Sequence, residues 1–354
     1  MAPILTTAEF LEQPGPILDV RSPAEYEQGH IPGALSFPLF DNQERARVGT
    51  CYKQQGRDAA VELGLAIAGP KLAEFVAQAR QLAADRVLRI HCWRGGMRSG
   101  SMAWLMETAG FQVCLLDRGY KGFRQWVRQV LAVAKPIWTL GGMTGTGKTA
   151  ILHALREQGQ PILDLEYFAN HRGSSYGNLG LPPQPSTEHF ENLLALAWSQ
   201  LPADRPIWIE AESRMVGTCR IPDELFQQMV AAPVVQVERS RADRTALLLQ
   251  DYGVIDRQQL IVATERLSKR LGGDRVRQAT DLIRQGDLAA AIAIVLDYYD
   301  KTYRYDLQRR QVPIYSVNVE NCGPPESARR ILAMTQQLSK QPRSQAAANL
   351  EAIA

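Results

Sequence analysis

Two glycine-rich segments, each lying between an apolar strand and a helix, constrain the fold of this chain more than any other feature. The second segment reads GGMTGTGKT and has the spacing G-x-x-x-x-G-K-T from Gly142 to Thr149. The apolar run PIWTL precedes it, and apolar residues at helical spacing follow it. This context predicts a P-loop, in which backbone N–H groups bind phosphate oxygens. We expect a phosphate or diphosphate to be bound by Gly142, Thr144, Gly145, Thr146, Gly147, Lys148 and Thr149.

The first glycine-rich segment, HCWRGGMRSG, contains a cysteine at its start. It follows the predicted strand 86–92 and precedes the predicted helix 99–109. The N–H groups and dipole at the start of a helix lower the pKa of such a cysteine, so that more of it is thiolate. We therefore predict that Cys92 is the catalytic nucleophile and that the guanidinium of Arg98 binds an oxyanion in bidentate fashion. The predicted anion-binding loop comprises Arg94, Gly95, Gly96, Met97, Arg98 and Ser99.

The remaining pattern predicts an α/β protein of two domains. A chain of 354 residues is too long for one ordinary core. Strands alternate with helices both before and after Lys135-Pro136, which indicates two parallel sheets. We place a parallel-sheet domain at 1–134 and a second α/β domain, with a helical C-terminal part, at 135–338. The stretch 339–354, rich in Gln, Ala and Ser, is expected to be a loosely ordered tail.

Several polar residues of the second half are candidates for a role beside the P-loop. Asp164 and Glu210 stand at the ends of apolar runs, where either carboxylate could hold Mg²⁺ or its water if a metal is used. No metal ligand is assigned beyond that. The polar loop 170–177 is either a substrate loop or a solvated surface, and arginines after the next strands are either phosphate clamps or surface residues. These candidates are His171, Arg172, Ser174, Arg214 and Arg239.

The composition favours a location in a reducing, aqueous compartment. The number of cysteines, five, is odd, and no two of them have C-x-x-C spacing. A disulfide framework or a zinc site is therefore not expected, and the cytoplasm is the predicted location. The N-terminal sequence MAPILTTAEF lacks the basic segment of a signal peptide, and no apolar run is long enough to cross a bilayer. The net charge of +3 is compatible with an anionic partner such as RNA.

The N-terminal part resembles the rhodanese domains. The resemblance lies in Asp19-Val20-Arg21 after a strand, in Glu25, in the string GHIPGA at 29–34 and in the position of the Cys92 loop. In that family the cysteine carries a persulfide. Five residues separate Cys92 from Arg98, one more than in a typical sulfurtransferase loop, and rhodanese-fold phosphatases have this wider spacing. The loop itself leaves sulfur transfer, selenium transfer and phosphate-ester chemistry open.

The order of the two domains, together with CWRGGMRSG, GGMTGTGKT, ANHRGSSYG and EAESRMVG, resembles the tRNA 2-selenouridine synthases. That resemblance implies a transferase that replaces sulfur by selenium in 2-thiouridine at wobble position 34 of tRNA, through an S-geranyl-2-thiouridine intermediate. Its substrates would be geranyl diphosphate and selenophosphate, with no prosthetic group. Its partners would be tRNA and an enzyme that produces selenophosphate. The P-loop would then bind the prenyl diphosphate rather than ATP, beside an apolar pocket.

Two other readings of the same motifs stay open. The first is a rhodanese-fold sulfurtransferase or phosphatase coupled to a P-loop NTPase, which would hydrolyse nucleotide steadily. The second is an RNA-binding protein in which the P-loop holds nucleotide as a switch. A protein that only binds RNA has no use for a thiol of low pKa, so the Cys92 loop argues against the second reading.

Overall fold

The computed structural model describes residues 2–340, except for the side chains of 306–308 and 339–340. Contacts within that part of the chain divide it into two compact units. The first contains the chain up to Ala132 together with Ser186–Leu196, a segment that lies within the predicted second domain in sequence. The second contains Val133–Pro185 and the chain from Ala197 onward. Most of the predicted tail lies outside the described residues, and the last helix continues through Lys340.

A five-stranded parallel sheet forms the centre of the first unit, as the alternation of strands and helices predicted. The strand order is β1-β5-β4-β2-β3, so the strand before the Cys92 loop, β4, lies in the middle. Both faces of its neighbour β2 are buried, which is typical of a parallel sheet covered by helices. The strands are β1 (Ile4–Leu5), β2 (Ile17–Asp19), β3 (Ala34–Ser36), β4 (Val87–His91) and β5 (Gln112–Leu116).

The helices of the first unit cover this sheet and bury an apolar core that includes Leu88, Ile90, Met102 and Met106. Two of them, α3 and α4, form a pair between β3 and the next helix that the sequence pattern did not reveal. The helices are α1 (Thr7–Glu12), α2 (Pro23–Gln28), α3 (Asn42–Gln55), α4 (Arg57–Ala68), α5 (Leu72–Leu82), α6 (Met97–Thr108) and α7 (Gly119–Ala132), with a short 3-10 turn at Gly69–Lys71.

The second unit also has a five-stranded parallel sheet, in the order β12-β11-β6-β8-β7. The first of these strands in the chain, β6, lies in the middle and leads into the P-loop. In open α/β sheets, ligands bind beyond the carboxyl ends of such central strands. The strands are β6 (Ile137–Gly142), β7 (Ile162–Leu163), β8 (Ile207–Glu210), β11 (Val234–Glu238) and β12 (Ile314–Asn318), and a separate antiparallel pair is formed by β9 (Met215–Val216) and β10 (Cys219–Arg220).

The C-terminal part of the second unit is mostly helical, as predicted. Helix α10 begins in the segment that belongs to the first unit and ends in the second. No helix of the described residues is long and apolar enough to span a membrane. The helices are α8 (Lys148–Glu157), α9 (Leu165–Ala169), α10 (Thr187–Gln200), α11 (Asp223–Ala231), α12 (Arg241–Tyr252), α13 (Arg257–Glu265), α14 (Ser268–Leu271), α15 (Gly273–Gln285), α16 (Leu288–Gln308) and α17 (Pro324–Lys340).

A buried ion pair between Asp19 and Arg21 organises the first unit at the end of β2. The Arg21 side chain is 1% exposed, and its Nη2 lies 2.6 Å from Asp19 Oδ2. The same nitrogen donates a hydrogen bond to the carbonyl oxygen of Gly29 at 2.7 Å. The guanidinium carbon lies 3.8 Å from the ring centroid of Tyr120, a cation–π contact. Both charges are thus paired and hydrogen-bonded, which is the condition under which buried charges are tolerated.

The hydroxyl of Tyr120 explains why the segment 186–196 belongs to the first unit. It donates a hydrogen bond to Glu188 Oε1 at 2.9 Å and accepts one from Asn192 Nδ2 at 2.8 Å. Asn192 Nδ2 also donates to the carbonyl oxygen of His30 at 2.8 Å. The buried Tyr120, held against Arg21 on one side, therefore binds the first half of α10 on the other.

We expect the substitution Arg21→Met to destabilise the first unit by about 3–5 kcal/mol, because it leaves the Asp19 carboxylate buried without a charged partner. The control is Arg80→Met on α5, an exposed position at which the change should be within about 0.5 kcal/mol. Urea denaturation followed by circular dichroism measures both. Equal unfolding midpoints for the two variants would show that the buried pair does not stabilise this unit.

Candidate functional site

The first candidate site is the loop between β4 and α6, in the first unit. Cys92 directly follows β4, and its side chain is 3% exposed. Gly95 has φ +67°, and a Cβ at that position would lie 3.0 Å from the carbonyl oxygen of Leu116. A residue with a side chain would therefore be strained at this turn, both by the backbone conformation and by the close carbonyl oxygen. The loop is a rigid strand–turn–helix connection with the thiol at its base.

Hydrogen bonds hold the thiol of Cys92 at the start of α6. Its Sγ lies 3.2 Å from Ser99 Oγ, and the backbone N–H groups of Arg94 and Ser99 also point to it. Burial alone would raise the pKa of the thiol. The Ser99 hydroxyl, these two N–H groups and the positive charge of Arg98 outweigh burial, and the pKa of Cys92 lies below its usual value. The geometry thus favours a thiolate at Cys92, the residue that the sequence singled out as nucleophile.

The guanidinium of Arg98 is positioned differently from the sequence expectation. Its Nη1 and Nη2 donate hydrogen bonds to the two carboxylate oxygens of Glu25, at 2.7 and 3.2 Å. Burial would raise the pKa of Glu25, but Arg98 and the backbone N–H of Ser22 lower it to about 2. The bidentate face of Arg98 is therefore occupied by Glu25, which fixes the guanidinium in place. Arg98 acts on the thiol through its charge.

The other loop residues contribute through their backbone more than through their side chains. Arg94 directs its N–H toward the thiol while its side chain is exposed. Gly96 is the N-cap of α6, and Met97 begins the helix with half of its side chain exposed. An anion above Cys92 would therefore meet N–H groups and the charge of Arg98, the arrangement expected of an oxyanion site.

The second candidate site is the P-loop between β6 and α8. Gly145 and Gly147 have φ values of +81° and +79°, and a Cβ on Gly145 would lie 2.9 Å from the Leu248 side chain. The hydroxyl of Thr146 donates to the carbonyl oxygen of Met143 at 2.8 Å and closes the turn. Lys148 Nζ donates to the carbonyl oxygen of Gly142 at 3.1 Å, so its ammonium group lies across the loop. The phosphate-binding residues predicted from the sequence are thus brought together in one loop.

Three carboxylates gather beside the lysine of this loop. One oxygen each from Glu166, Glu210 and Glu212 lies within 4.8 Å of the others. Thr149 Oγ1 donates a hydrogen bond to Glu166 Oε2 at 3.0 Å. Burial alone would lower the pKa of Lys148, but the three glutamates raise it, so the ammonium form is favoured. The P-loop lysine therefore faces a cluster of acids.

Crowding of the acids raises their own pKa values. Burial and the charge of Glu212 raise the pKa of Glu166 to about 7, although Lys148 and Thr149 oppose the shift. Burial and Glu166 raise the pKa of Glu210 well above its usual value, and burial does the same for Glu212. The three acids therefore oppose one another's ionisation. A cation bound at this cluster would have to displace any protons from the carboxylates, because metal ligands must be deprotonated.

Asp164, one of the two acids expected beside the P-loop, lies outside this cluster. Its Oδ1 accepts a hydrogen bond from the backbone N–H of Tyr167 at 2.8 Å and caps α9. Its Oδ2 lies 2.6 Å from His153 Nε2. Glu166, two residues further on, lies in the cluster at the position beside the P-loop that was expected for Asp164. Glu210 is in the cluster, at the end of β8, while Glu212 joins it from the segment beyond.

Two arginines donate hydrogen bonds to backbone carbonyl oxygens of the P-loop. Arg239 Nε donates to the carbonyl oxygen of Thr146 at 3.1 Å, and its Nη1 pairs with Asp243 at 2.9 Å. Arg244 Nη1 donates to the carbonyl oxygen of Thr144 at 3.2 Å and forms a buried bidentate pair with Asp300, at 2.7 Å for each bond. The structure therefore places Arg239 as a brace of the loop backbone rather than a phosphate clamp. Arg244, which follows the same strand as Arg239 and was also a candidate phosphate clamp, likewise contacts the loop backbone.

Arg214, another candidate phosphate clamp, makes its described side-chain contacts with residues of α11. It forms an ion pair with Asp223, and its guanidinium carbon lies 5.1 Å from the ring centroid of Phe226. This position corresponds to the surface alternative that the sequence left open.

The polar loop 170–177 lies against the acid cluster. A Cβ on Gly173, which has φ +63°, would come 2.7 Å from Glu166 Oε1 and 3.0 Å from Glu212 Oε1. His171 is buried, and its Nδ1 has no hydrogen-bond partner among the described residues. Arg172 Nη1 donates to the carbonyl oxygen of Leu179 at 2.9 Å, and Ser174 Oγ lies 3.3 Å from the hydroxyl of Tyr252. The loop is thus packed in the second unit beside the P-loop.

An apolar cavity of about 40 Å³ begins at the P-loop residue Thr144. Its walls come from the loop 170–177 and from α12, α13, α15 and α16, and they are mainly leucine, isoleucine and tyrosine side chains. Ser174 and Tyr252 place their hydroxyls in this lining. An apolar group attached to a phosphate in the loop would therefore have an apolar wall beside it.

The acid cluster fits a divalent cation. Glu210 is 1% exposed, and its Oε1 has no hydrogen-bond partner in the described part of the chain. Mg²⁺ prefers carboxylate oxygens, usually with bound waters and phosphate oxygens completing the shell. Glu166, Glu210 and Glu212 would hold the ion next to Thr149 and Lys148. A cation there would neutralise the charge of a bound diphosphate.

Fold and sites together define the class of protein: a rhodanese-type thiolate loop followed in the same chain by a P-loop domain. The profile of the rhodanese-like domain matches residues 6–125, and that of the tRNA 2-selenouridine synthase AAA domain matches residues 135–322.

Individual proteins agree with these profiles. The tRNA 2-selenouridine synthase of Bordetella petrii is 38% identical, with 83% of this chain and 87% of that protein covered. Those of Marinobacter nauticus and Pseudomonas putida are each 35% identical; they cover 84% and 82% of this chain, and 89% and 87% of their own lengths. This chain belongs to the tRNA 2-selenouridine synthase family and, like its relatives, is an enzyme.

We expect Ser99→Ala to raise the pKa of Cys92, because the thiolate loses the hydroxyl donor that stabilises it. Loss of one such hydrogen bond, about 1 kcal/mol, should slow alkylation of Cys92 by iodoacetamide about fivefold at pH 7. Mass spectrometry of the Cys92 peptide across a pH series measures the shift. Ser101→Ala, exposed on the same helix, is the control. Superimposable pH profiles for the two variants would exclude this role of Ser99.

We expect the acid cluster to bind Mn²⁺, a spectroscopic substitute for Mg²⁺, and Glu210→Gln to weaken binding at least about tenfold. Wild-type affinity should decline as the pH falls below about 7, the pKa of Glu166, because protons then compete with the cation. Electron paramagnetic resonance of free Mn²⁺ measures both effects. Glu157→Gln, exposed on α8, is the control. Equal binding by both variants would contradict a cation site at this cluster.

Proposed function

We propose that this enzyme replaces sulfur by selenium in 2-thiouridine at the wobble position of tRNA, in two steps that use its two anion-binding loops. The family membership supports the overall conversion. The P-loop supports a step with a diphosphate, and the thiolate loop at Cys92 supports a step with a small tetrahedral anion. Geranyl diphosphate and selenophosphate, the substrates that the family resemblance implies, have these properties.

The first step is alkylation of the thiocarbonyl sulfur. Sulfur attacks carbon 1 of the geranyl group, the bond from that carbon to oxygen breaks, and diphosphate leaves with the electron pair. The N3 proton of thiouridine passes to the diphosphate. The N–H groups of the P-loop and the ammonium of Lys148 stabilise the leaving diphosphate, because negative charge develops there. Mg²⁺ held by the three glutamates would stabilise the same negative charge on the leaving diphosphate.

The observation that carries the choice of donor is the apolar cavity that begins at Thr144. A nucleotide would need polar partners for its base, whereas a prenyl chain needs only apolar walls. The cavity, about 40 Å³, is narrow for a ten-carbon chain. Leu248 and Leu296, which form part of its wall, would move apart when the chain enters. Leu248, Leu296 and the other lining residues are the basis for proposing an apolar pocket beside the P-loop.

The second step is displacement of the alkylated sulfur. The Cys92 thiolate attacks carbon 2 of the uridine, and geranylthiolate leaves with the electron pair and takes up a proton. Selenium of selenophosphate then attacks the same carbon, and the Cys92 thiolate leaves with the electron pair. Water then cleaves the selenium–phosphorus bond, which gives 2-selenouridine and phosphate. Alkylation matters because a thiolate leaves readily whereas a thiocarbonyl sulfur does not. The N–H groups around Cys92 and the charge of Arg98 would bind the phosphate part of selenophosphate.

The division of labour predicts opposite defects for two variants. Cys92→Ser should lose selenation by at least about 100-fold and retain geranylation. Lys148→Ala should lose geranylation, and it should retain selenation when it is given tRNA that is already geranylated. Mass spectrometry of nucleosides, after incubation with each co-substrate separately, measures both steps. Cys51→Ser and Lys301→Ala are matched controls at positions outside both loops.

Three results would count against the proposal. Loss of both steps in a folded Cys92→Ser variant would contradict the assignment of one loop to each step. Unchanged geranylation in Lys148→Ala would remove the P-loop from the first step. An unmodified uridine accompanied by steady ATP hydrolysis would favour a rhodanese-fold enzyme coupled to an NTPase.

A further inference from the structure

A second and much larger apolar cavity lies in the first unit, beside the Cys92 loop. Its volume is about 630 Å³, within the roughly 300–1,000 Å³ typical of small-molecule sites. Helices α3, α4 and α6 and the turn after α4 form its walls. Side chains such as Val48, Val61, Leu72 and Leu105 make the interior apolar. No step assigned so far uses this cavity.

One wall of the cavity is the thiolate loop itself. Gly96, Met97 and Arg98 all line it. Cys92 precedes these residues in the loop, and Ser99, which contacts the Cys92 thiol at 3.2 Å, follows them. The first turn of α6 thus presents its N–H groups to the thiol and its apolar side chains to the cavity. The cavity and the Cys92 site therefore share the first turn of α6.

The rim of the cavity is unusually apolar for a surface in water. Tyr52, Leu65, Met97 and Trp104 are large apolar side chains from three helices, and they are 59%, 66%, 50% and 64% exposed. Exposed apolar side chains that cluster at one opening mark a binding site, because a ligand there removes them from water. The charged side chains in its described lining are Arg57 and Arg98, and Arg98 is paired with Glu25. No carboxylate belongs to the described lining, and the nearby Glu25 carboxylate is ion-paired with Arg98.

We propose that this cavity binds the prenyl chain of the alkylated nucleoside during the selenium step, and of the prenyl thiol that leaves from it. The inference rests on the proposed function, since it takes the S-geranyl nucleoside as the substrate of the Cys92 site. Carbon–sulfur cleavage occurs at the loop, while the chain lies among α3, α4 and α6. The chain enters the cavity before the bond breaks and stays there as geranylthiol afterwards.

This site makes the selenium step selective for alkylated sulfur. A 2-thiouridine without a prenyl group has nothing to fill the cavity and gains no binding energy from it. Each buried methylene of the chain changes affinity by about fourfold, so a geranyl group should be favoured over a methyl group at least about 100-fold. The cavity would therefore enforce the order of the two steps through substrate binding.

The test uses tRNA that carries S-geranyl- or S-methyl-2-thiouridine, prepared chemically and mixed with selenophosphate. The ratio of kcat/KM for the two substrates, from mass spectrometry of selenouridine, is the readout. A partly unfolded variant would slow the conversion of both substrates equally, so a change in the ratio reports only on recognition of the prenyl chain. Val61→Trp, which fills the cavity, and Leu65→Glu, which places a charge at its rim, should each lower the ratio at least about tenfold. Leu82→Glu, an exposed apolar position on α5, is the control and should leave the ratio unchanged.

The outcomes separate this inference from the proposed function. If the wild-type enzyme converts S-geranyl tRNA but both cavity variants keep the full chain preference, the chain binds elsewhere and the inference fails. A wild-type ratio near one would overturn it as well, with the two-step reaction intact. If the wild-type enzyme does not convert S-geranyl tRNA at all, the proposed function itself fails, and the inference fails with it.

Discussion

The unpaired N–H groups at the start of a helix are the physical feature on which both sites depend. In each unit a central parallel strand ends at the edge of its sheet, turns through glycines and enters a helix. The turn directs N–H groups toward one point, and the helix dipole adds positive potential there. The sulfur of Cys92, whose pKa is lowered, lies at that point in the first unit, and the sequence of the second loop is suited to phosphate oxygens.

The charged residues around the two loops are arranged in different ways. Around Cys92, Arg98 is held by Glu25, so its positive charge is fixed beside a thiol whose pKa is already lowered. Around the P-loop, Lys148 faces three glutamates whose pKa values are raised by burial and by one another's charge. The first arrangement stabilises an anion of the protein itself. The second can take up a cation, and with it a highly charged diphosphate.

Apolar surface distinguishes these two sites from simple phosphate-binding sites. The P-loop adjoins a narrow apolar cavity, and the thiolate loop adjoins a wide one. A prenyl group would need such a surface twice, first as part of the diphosphate and then as part of the leaving thiol. On the proposed route, which attaches a prenyl chain and then removes it, each cavity would hold the chain in one of the two steps.

Much of this organisation could be predicted from the sequence, because glycine spacing and strand–loop–helix patterns are local. The two loops, the parallel sheets and the family all followed from such patterns. The acid beside Thr149 could not be chosen locally, since Asp164 and Glu166 both follow the same short strand. The structure separates them because Asp164 caps α9, which leaves Glu166 to contact Thr149.

Long-range packing accounts for what the sequence did not reveal. The partner of Arg98 is 73 residues away at Glu25, and the brace of the P-loop from Arg244 depends on Asp300 in another helix. Helices α3 and α4 bury little of their surface, so their apolar residues show no strong helical spacing. The wide cavity that they form beside Cys92 was therefore not visible in the sequence.

The most direct test of the account is to omit geranyl diphosphate. Wild-type enzyme would be incubated with 2-thiouridine-containing tRNA and selenophosphate, with and without the prenyl donor, and nucleosides would be followed by mass spectrometry over time. The account predicts no selenouridine without the donor, and with it a rise and fall of S-geranyl-2-thiouridine before selenouridine accumulates. Selenouridine formed at an equal rate without the donor would contradict the two-step route and the roles given to both loops.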